Sequence, residues 1–100
     1  MEYPTHVLLV KFKSELSLDE INEIVESRAD DFRALGGLQQ KYYLLGSGSG
    51  EVGGLYLWES PEALDEYRQS ELRETIAKAY KAVNKPQVEV FSVLKVLREE

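Results

Sequence analysis

One hundred residues carry 43% hydrophobic and 30% charged side chains, with eighteen acids against twelve bases, one histidine and no cysteine. That balance suits one folded domain over 1–100 and excludes a disulfide framework, a thiolate metal site, a thiol nucleophile and any metal centre built on several histidines. A net charge of −6 argues against nucleic acid as a partner, because phosphate contact needs clustered Lys and Arg, and no apolar run reaches the ~18 residues a membrane span requires.

The N-terminal stretch Met1–His6 has no basic region ahead of Val7–Val10. No secretory signal is read there, and a reducing, cytoplasmic location is expected. A strand is predicted from Thr5 to Lys13, its four successive apolar residues placing apolar side chains on both faces. Ser17 and Glu20 have capping-box spacing. Ile21, Ile24, Val25, Ala29, Phe32 and Leu35 then recur at helical intervals, with Glu23, Glu26, Arg28, Asp30 and Arg33 mostly opposite, up to a glycine stop at Gly36-Gly37.

Leu38–Leu45 reads as a second strand and Val52–Trp58 as a third. The Gly-Ser loop 46–50 between them makes an antiparallel hairpin. Ser60-Pro61 opens a second helix, serine as N-cap and proline at its first position. Leu64, Tyr67, Leu72, Ile76, Tyr80 and Val83 form its apolar stripe, with Ser70-Glu71 as a point of interruption and Lys85-Pro86 as its end. Gln87–Leu97 is predicted as a long last strand.

The order β-α-β-β-α-β is that of a ferredoxin-like α+β fold: a four-stranded antiparallel sheet, first and third strands central, both helices on one face. The opposite face is apolar too, with Val7, Leu9, Phe91, Val93 and Leu97 available to it. Soluble monomers rarely leave such a patch bare, so a homodimer joined sheet to sheet is expected.

Gly48–Gly53 matches G-x-G-x-x-G, but it opens a strand rather than a helix, which makes it a hairpin loop. Gly53-Gly54 inside a strand marks either a bulge or room for a ligand. Tyr42, Tyr43, Tyr56, Trp58, Tyr67 and Tyr80 cluster on the hairpin and second helix. Such residues pack cores, and their polar tips also suit a pocket for a flat, partly polar molecule. His6 is either a surface residue or a general base. Lys41 either orients an enolate or carboxylate or guards an edge strand. Glu59 is either a carboxylate base or a solvated turn residue. The remaining acids, including those at the C-terminus, are read as solubilising. No metal and no organic cofactor is called for.

The segments Gly37-Leu38-Gln39-Gln40-Lys41-Tyr42-Tyr43 and Gly53-Gly54-Leu55-Tyr56-Leu57-Trp58-Glu59-Ser60 resemble the YdhR-type monooxygenases of the dimeric α/β-barrel superfamily. The resemblance implies a protomer whose sheet pairs into a barrel in a homodimer, with a cavity between sheet and helices. It implies a cofactor-independent monooxygenase acting on or binding an aromatic, quinol-type molecule. Tyr42, Tyr43, Gly54, Tyr56, Trp58 and Tyr67 would line the site, with Lys41, His6 and Trp58 as the catalytic candidates. Trp58 resembles the tryptophan late in the third strand of the polyketide oxygenases, whereas the asparagine that accompanies it there is replaced by Gly54. The alternatives are a non-catalytic, stress-related binding dimer and a structural dimer whose pocket is filled by its own side chains.

Overall fold

In the computed structural model, which describes residues 3–98, the chain runs β1 (His6–Lys13), α1 (Leu18–Arg33), β2 (Leu38–Leu45), β3 (Glu51–Trp58), α2 (Pro61–Arg68), α3 (Glu71–Glu74), α4 (Ile76–Ala79) and β4 (Gln87–Ser92). Glu99 and Glu100, two of the acids read as solubilising, lie outside the described residues. The strands form one open antiparallel sheet in the order β2-β3-β1-β4, with β1 and β3 central. This is the ferredoxin-like α+β fold.

Strand alternation sorts the side chains. Leu8, Val10 and Phe12 of β1 and Val52, Tyr56 and Trp58 of β3 share one face and are buried under the helices. Ile21 and Phe32 of α1 meet them, together with Leu64, Tyr67, Ile76 and Tyr80 from the second helical region. Each such burial contributes about 1.5–3 kcal/mol, so this layer holds the fold. The other face carries Val7, Leu9, Leu55 and Leu57 half-buried, with Tyr42 and Phe91 exposed at the edges.

One expectation is borne out and two change. The second helix is not continuous: Ser70 caps a new turn by accepting from the Arg73 amide at 3.2 Å, and Thr75 ends it. The predicted interruption at Ser70-Glu71 is therefore real, and it splits the region into α2, α3 and α4. The helical region also stops earlier than Lys85, because Lys81 turns the chain with φ 50°. Val83 consequently leaves the apolar stripe and is 57% exposed. Finally, β4 ends at Ser92 rather than Leu97. His6↔Ser92 is its last register pair with β1, and one more bond joins the Val93 amide to Thr5 O. Beyond that an edge strand has no partner, and Leu94 and Leu97 are exposed.

No bulge occurs at the glycine pair. The β1–β3 register runs unbroken from His6↔Trp58 to Lys13↔Glu51, and the irregularity lies in β2, between Leu38 and Gln40. A side chain at Gly53 would meet the Val10 carbonyl oxygen at 2.5 Å. Close backbone approach, not bending, explains that glycine.

Candidate functional site

The β2 bulge determines which side chains reach the interior. After it, Lys41, Tyr43 and Leu45 pair with Tyr56, Gly54 and Val52 on the helix-covered face, while Tyr42 and Leu44 pair with Leu55 and Gly53 on the other. Because side chains alternate with period two, one extra residue shifts the whole strand by a face.

Lys41 therefore runs inward under α1, although β2 is the edge strand predicted for it. Its Nζ lies 3.4 Å from the centroid of the Phe32 ring, 4.3 Å from that of Tyr43 and 4.6 Å from that of Tyr56. Ring faces attract a cation, but no carboxylate among the described residues forms an ion pair with it. Among the described residues the sole ion pair is Arg33–Asp30, at 2.8 Å on the surface. Arg28 places a second cation 5.9 Å from the centroid of the same Phe32 ring. Burial, aided by the Arg28 charge, pushes the Lys41 amine down to about 7. Gly54 makes this placement sterically feasible: a Cβ there would sit 3.1 Å from Lys41 Cε and 2.9 Å from Tyr56 Cε1.

Behind this amine stands a wall of rings. Tyr56 stacks on Trp58 with centroids 6.3 Å apart and planes 5° from parallel, and Tyr67 lies 5.3 Å from Tyr56 and 5.2 Å from Trp58. The Tyr67 hydroxyl donates to the Tyr56 hydroxyl at 3.2 Å. Burial pushes both phenols up from their ordinary value and Tyr80 up to about 12, so all three stay neutral at physiological pH. The indole N–H of Trp58, itself 1% exposed, has no hydrogen-bond partner.

Two spaces meet at Lys41. The inner one, between Lys41, Gly54, Tyr56, Phe12, Ile76 and Tyr80, has a volume of about 20 Å³, room for a single water. The outer one is an open cleft of about 330 Å³ between α1 and β2, bounded by Phe32, Arg33, Leu38, Gln39, Lys41 and Tyr43. Its volume is in the range of small-molecule sites. Clefts of similar volume at Arg28–Thr75 and at Thr5–Ser60 lie more open to solvent and lack this aromatic wall.

The structure thus gathers Lys41, Tyr43, Gly54 and Tyr56 at one place, with Trp58 and Tyr67 packed behind Tyr56. Tyr42 points to the opposite face of the sheet. His6 pairs with Trp58 on the helix-covered face, two strands and two register positions from Lys41, and its Nδ1 lies 2.8 Å from Thr5 Oγ1. Glu59 is an exposed turn residue whose carbonyl accepts from Thr5 Oγ1 at 3.1 Å. The glycines at 48 and 50 lie in the hairpin turn, both with positive φ.

Sequence reasoning missed Arg28 and gave Phe32 only a packing role. Arg28 stands seven residues after Ile21 and four before Phe32, which is the spacing of the apolar stripe itself. Its Nη2 donates to Leu72 O at 2.9 Å and to Thr75 Oγ1 at 3.2 Å, while its Nε is buried without a partner. Gln39 was also missed as a cleft residue, since only the bulge brings it there.

Compared with known proteins, residues 7–99 match the family described as "Putative mono-oxygenase ydhR". No curated protein matches the chain significantly in sequence. Among solved structures, the NE2512 protein of unknown function from Nitrosomonas europaea superposes with a TM-score of 0.78 at 12% identity, over 100% of this chain and 99% of that one. A mutant of SnoaB, a cofactor-independent oxygenase from Streptomyces nogalater, gives 0.75 at 14% identity, over 96% and 99%. The ActVA-Orf6 monooxygenase of Streptomyces coelicolor, solved in complex with nanaomycin D, gives 0.71 at 18% identity, over 97% and 94%. Likeness at these identities is a likeness of fold.

Proposed function

The chain belongs to the ydhR mono-oxygenase family, and on that premise we propose that it is a small cofactor-independent monooxygenase of an aromatic, quinol-type molecule bound at the α1–β2 cleft, with Lys41 as its base. The observation that carries this reading is the Lys41 amine, set 3.4 Å over Phe32 at the inner end of a cleft of about 330 Å³. A base works best when its pKa is near the operating pH, and Lys41 sits at about 7.

The chemistry asks little else of the protein. A hydroquinone or anthrone lies against Phe32 and Tyr43 and gives a proton to the neutral amine. The resulting anion passes one electron to dioxygen, and the two radicals combine at carbon to form a peroxide. Loss of water leaves a carbonyl. One oxygen atom enters the product, the other leaves as water, and the substrate supplies every electron. The ammonium left on Lys41 then faces the developing oxyanion and stabilises it. Tyr56, Trp58 and Tyr67 form the rigid backing of the site. Proton transfer is assigned to Lys41 over His6 because of His6's distance along the sheet.

The dimer belongs to the same proposal. A second copy of this chain covers the outer face at Leu9, Leu55 and Leu57, flanked by Tyr42 and Phe91, which are 53% and 52% exposed. The alternative of a structural dimer whose pocket is filled by its own side chains draws support from the inner space of about 20 Å³, too small for a substrate or ligand. Oxygen uptake with a panel of hydroquinones and anthrones separates the two. Wild-type protein raises the rate and Lys41→Met loses most of the gain; rates equal to the uncatalysed background overturn the oxygenase. Thermal shift with the same panel then reports binding alone.

A further inference from the structure

We infer that Lys41 is a nucleophile as well as a base: its side-chain amine forms an imine with an aromatic aldehyde or ketone that enters the α1–β2 cleft. This goes beyond the oxygenase reading, because it requires neither dioxygen nor a quinol.

The geometry supplies what an amine nucleophile needs. Lysine amines are strongly hydrated cations on flexible stems, and they become nucleophiles when burial or a second cation disfavours the charged form. Lys41 has both influences. Its amine is enclosed by Phe32, Tyr43 and Tyr56, and Arg28 approaches the same Phe32 ring. The groups that face it from the surrounding elements are Arg28 of α1, Tyr43 of β2, Tyr56 of β3 and Tyr80 beyond α4; Glu26 of α1 acts on Tyr43 rather than on the amine, and Arg33 lies across the cleft, already paired with Asp30. The tyrosines stay neutral, and no carboxylate among the described residues forms an ion pair with Lys41. Nothing nearby therefore holds the amine in its charged form except the ring faces, and the value of about 7 follows the same balance.

Space and reach are present as well. Lys41 borders both the inner space and the outer cleft. Gly54 leaves open the path along which the stem lies, and Lys41 itself forms part of the wall of the outer cleft. Phe32, Leu38 and Tyr43 offer apolar and aromatic surface to a ring, and Gln39 offers an amide to a ring substituent.

The step balances without a further reactant. The neutral amine adds to the carbonyl carbon to give a carbinolamine. Loss of one water then forms the C=N bond in place of C=O. With a ketone that carries a hydrogen on the adjacent carbon, the protonated imine takes up the electron pair left when that proton departs; hydrolysis returns the amine in either case.

The test uses wild-type protein, benzaldehyde and sodium cyanoborohydride, which reduces the imine to a stable benzylamine. Peptide mapping by mass spectrometry then locates the benzyl group. The expected result at pH 7.5 is labelling of Lys41 about 10- to 100-fold faster than of the exposed lysines, since a lysine amine in free solution is only about one part in a thousand neutral at that pH. The Lys41 rate rises through pH 7 and levels above it. Labelling spread over the exposed lysines with Lys41 no faster than they are overturns the inference, as does a Lys41 rate still rising in parallel with theirs at pH 9. Neither outcome depends on oxygen uptake, so this inference and the oxygenase reading fail separately.

Discussion

The ε-methylene of Lys41 occupies the space that a side chain on Gly54 would claim, 3.1 Å from where its Cβ would stand. Two adjacent strands thus share one volume: β3 gives up a side chain so that β2 can send a cation inward. Gly54→Ala must displace either the flexible lysine or the buried Tyr56 ring. Overpacking of this kind costs about 1–3 kcal/mol. A lowered urea midpoint is expected, together with slower benzylation of Lys41; an unchanged midpoint would mean that the stem moves aside freely.

The buried amine also sets a pH dependence. Folding lowers the Lys41 pKa to about 7, whereas the unfolded chain has the ordinary value near 10.4. Below 7 both states hold the proton and the stability penalty is constant. Between about 7 and 10 only the unfolded chain holds it, so stability rises with pH. The limiting slope is about 1.4 kcal/mol per pH unit, less the screening by residual solvent. Above about 10 the sign reverses. Tyr56, Tyr67 and Tyr80 stay protonated only when folded, so alkali favours the unfolded chain. Urea unfolding at pH 6, 8 and 9.5 should show the rise, and Lys41→Met should abolish it.

The tyrosine pair behind the site can be weighed by itself. The Tyr67 hydroxyl donates to that of Tyr56 at 3.2 Å in the buried layer. Tyr67→Phe strands the Tyr56 oxygen and should cost about 1 kcal/mol. Replacing both by Phe should cost less than the sum of the single changes, since no unpartnered group remains. Additive losses in a double-mutant cycle would show that the bond contributes nothing.

Leu55 stands near the middle of the outer face, paired with Leu9 on one side and Tyr42 on the other. Leu55→Asp puts a charge into the proposed dimer contact without entering the buried layer. Sedimentation should then show a monomer where the wild type is a dimer, with far-UV circular dichroism unchanged. A wild type that is already monomeric at micromolar concentration removes the dimer.

Local signals carried most of the architecture. The capping box at Ser17 and Glu20 forms as spaced, with hydrogen bonds of 3.0 and 3.2 Å. The hairpin of β2 and β3 and the central position of β1 and β3 also follow from short-range patterns and crossover handedness. Strand and helix ends were less legible. Where β4 stops depends on how far β1 extends beside it, and where the last helical turn ends depends on Lys81 adopting a positive φ.

The site divides in the same way. The sequence by itself determined the fold class, the apolar character of both sheet faces and the supply of aromatic residues, because these follow from composition and period. Only the tertiary structure decided which of those residues meet. The bulge between Leu38 and Gln40 is one residue of slip that no pattern announces, and it sends Lys41 and Tyr43 inward and Tyr42 outward. Arg28 joins them from a helix thirteen positions away in sequence. A lysine acquires an unusual amine through desolvation and neighbouring charge, and both are properties of the space around it.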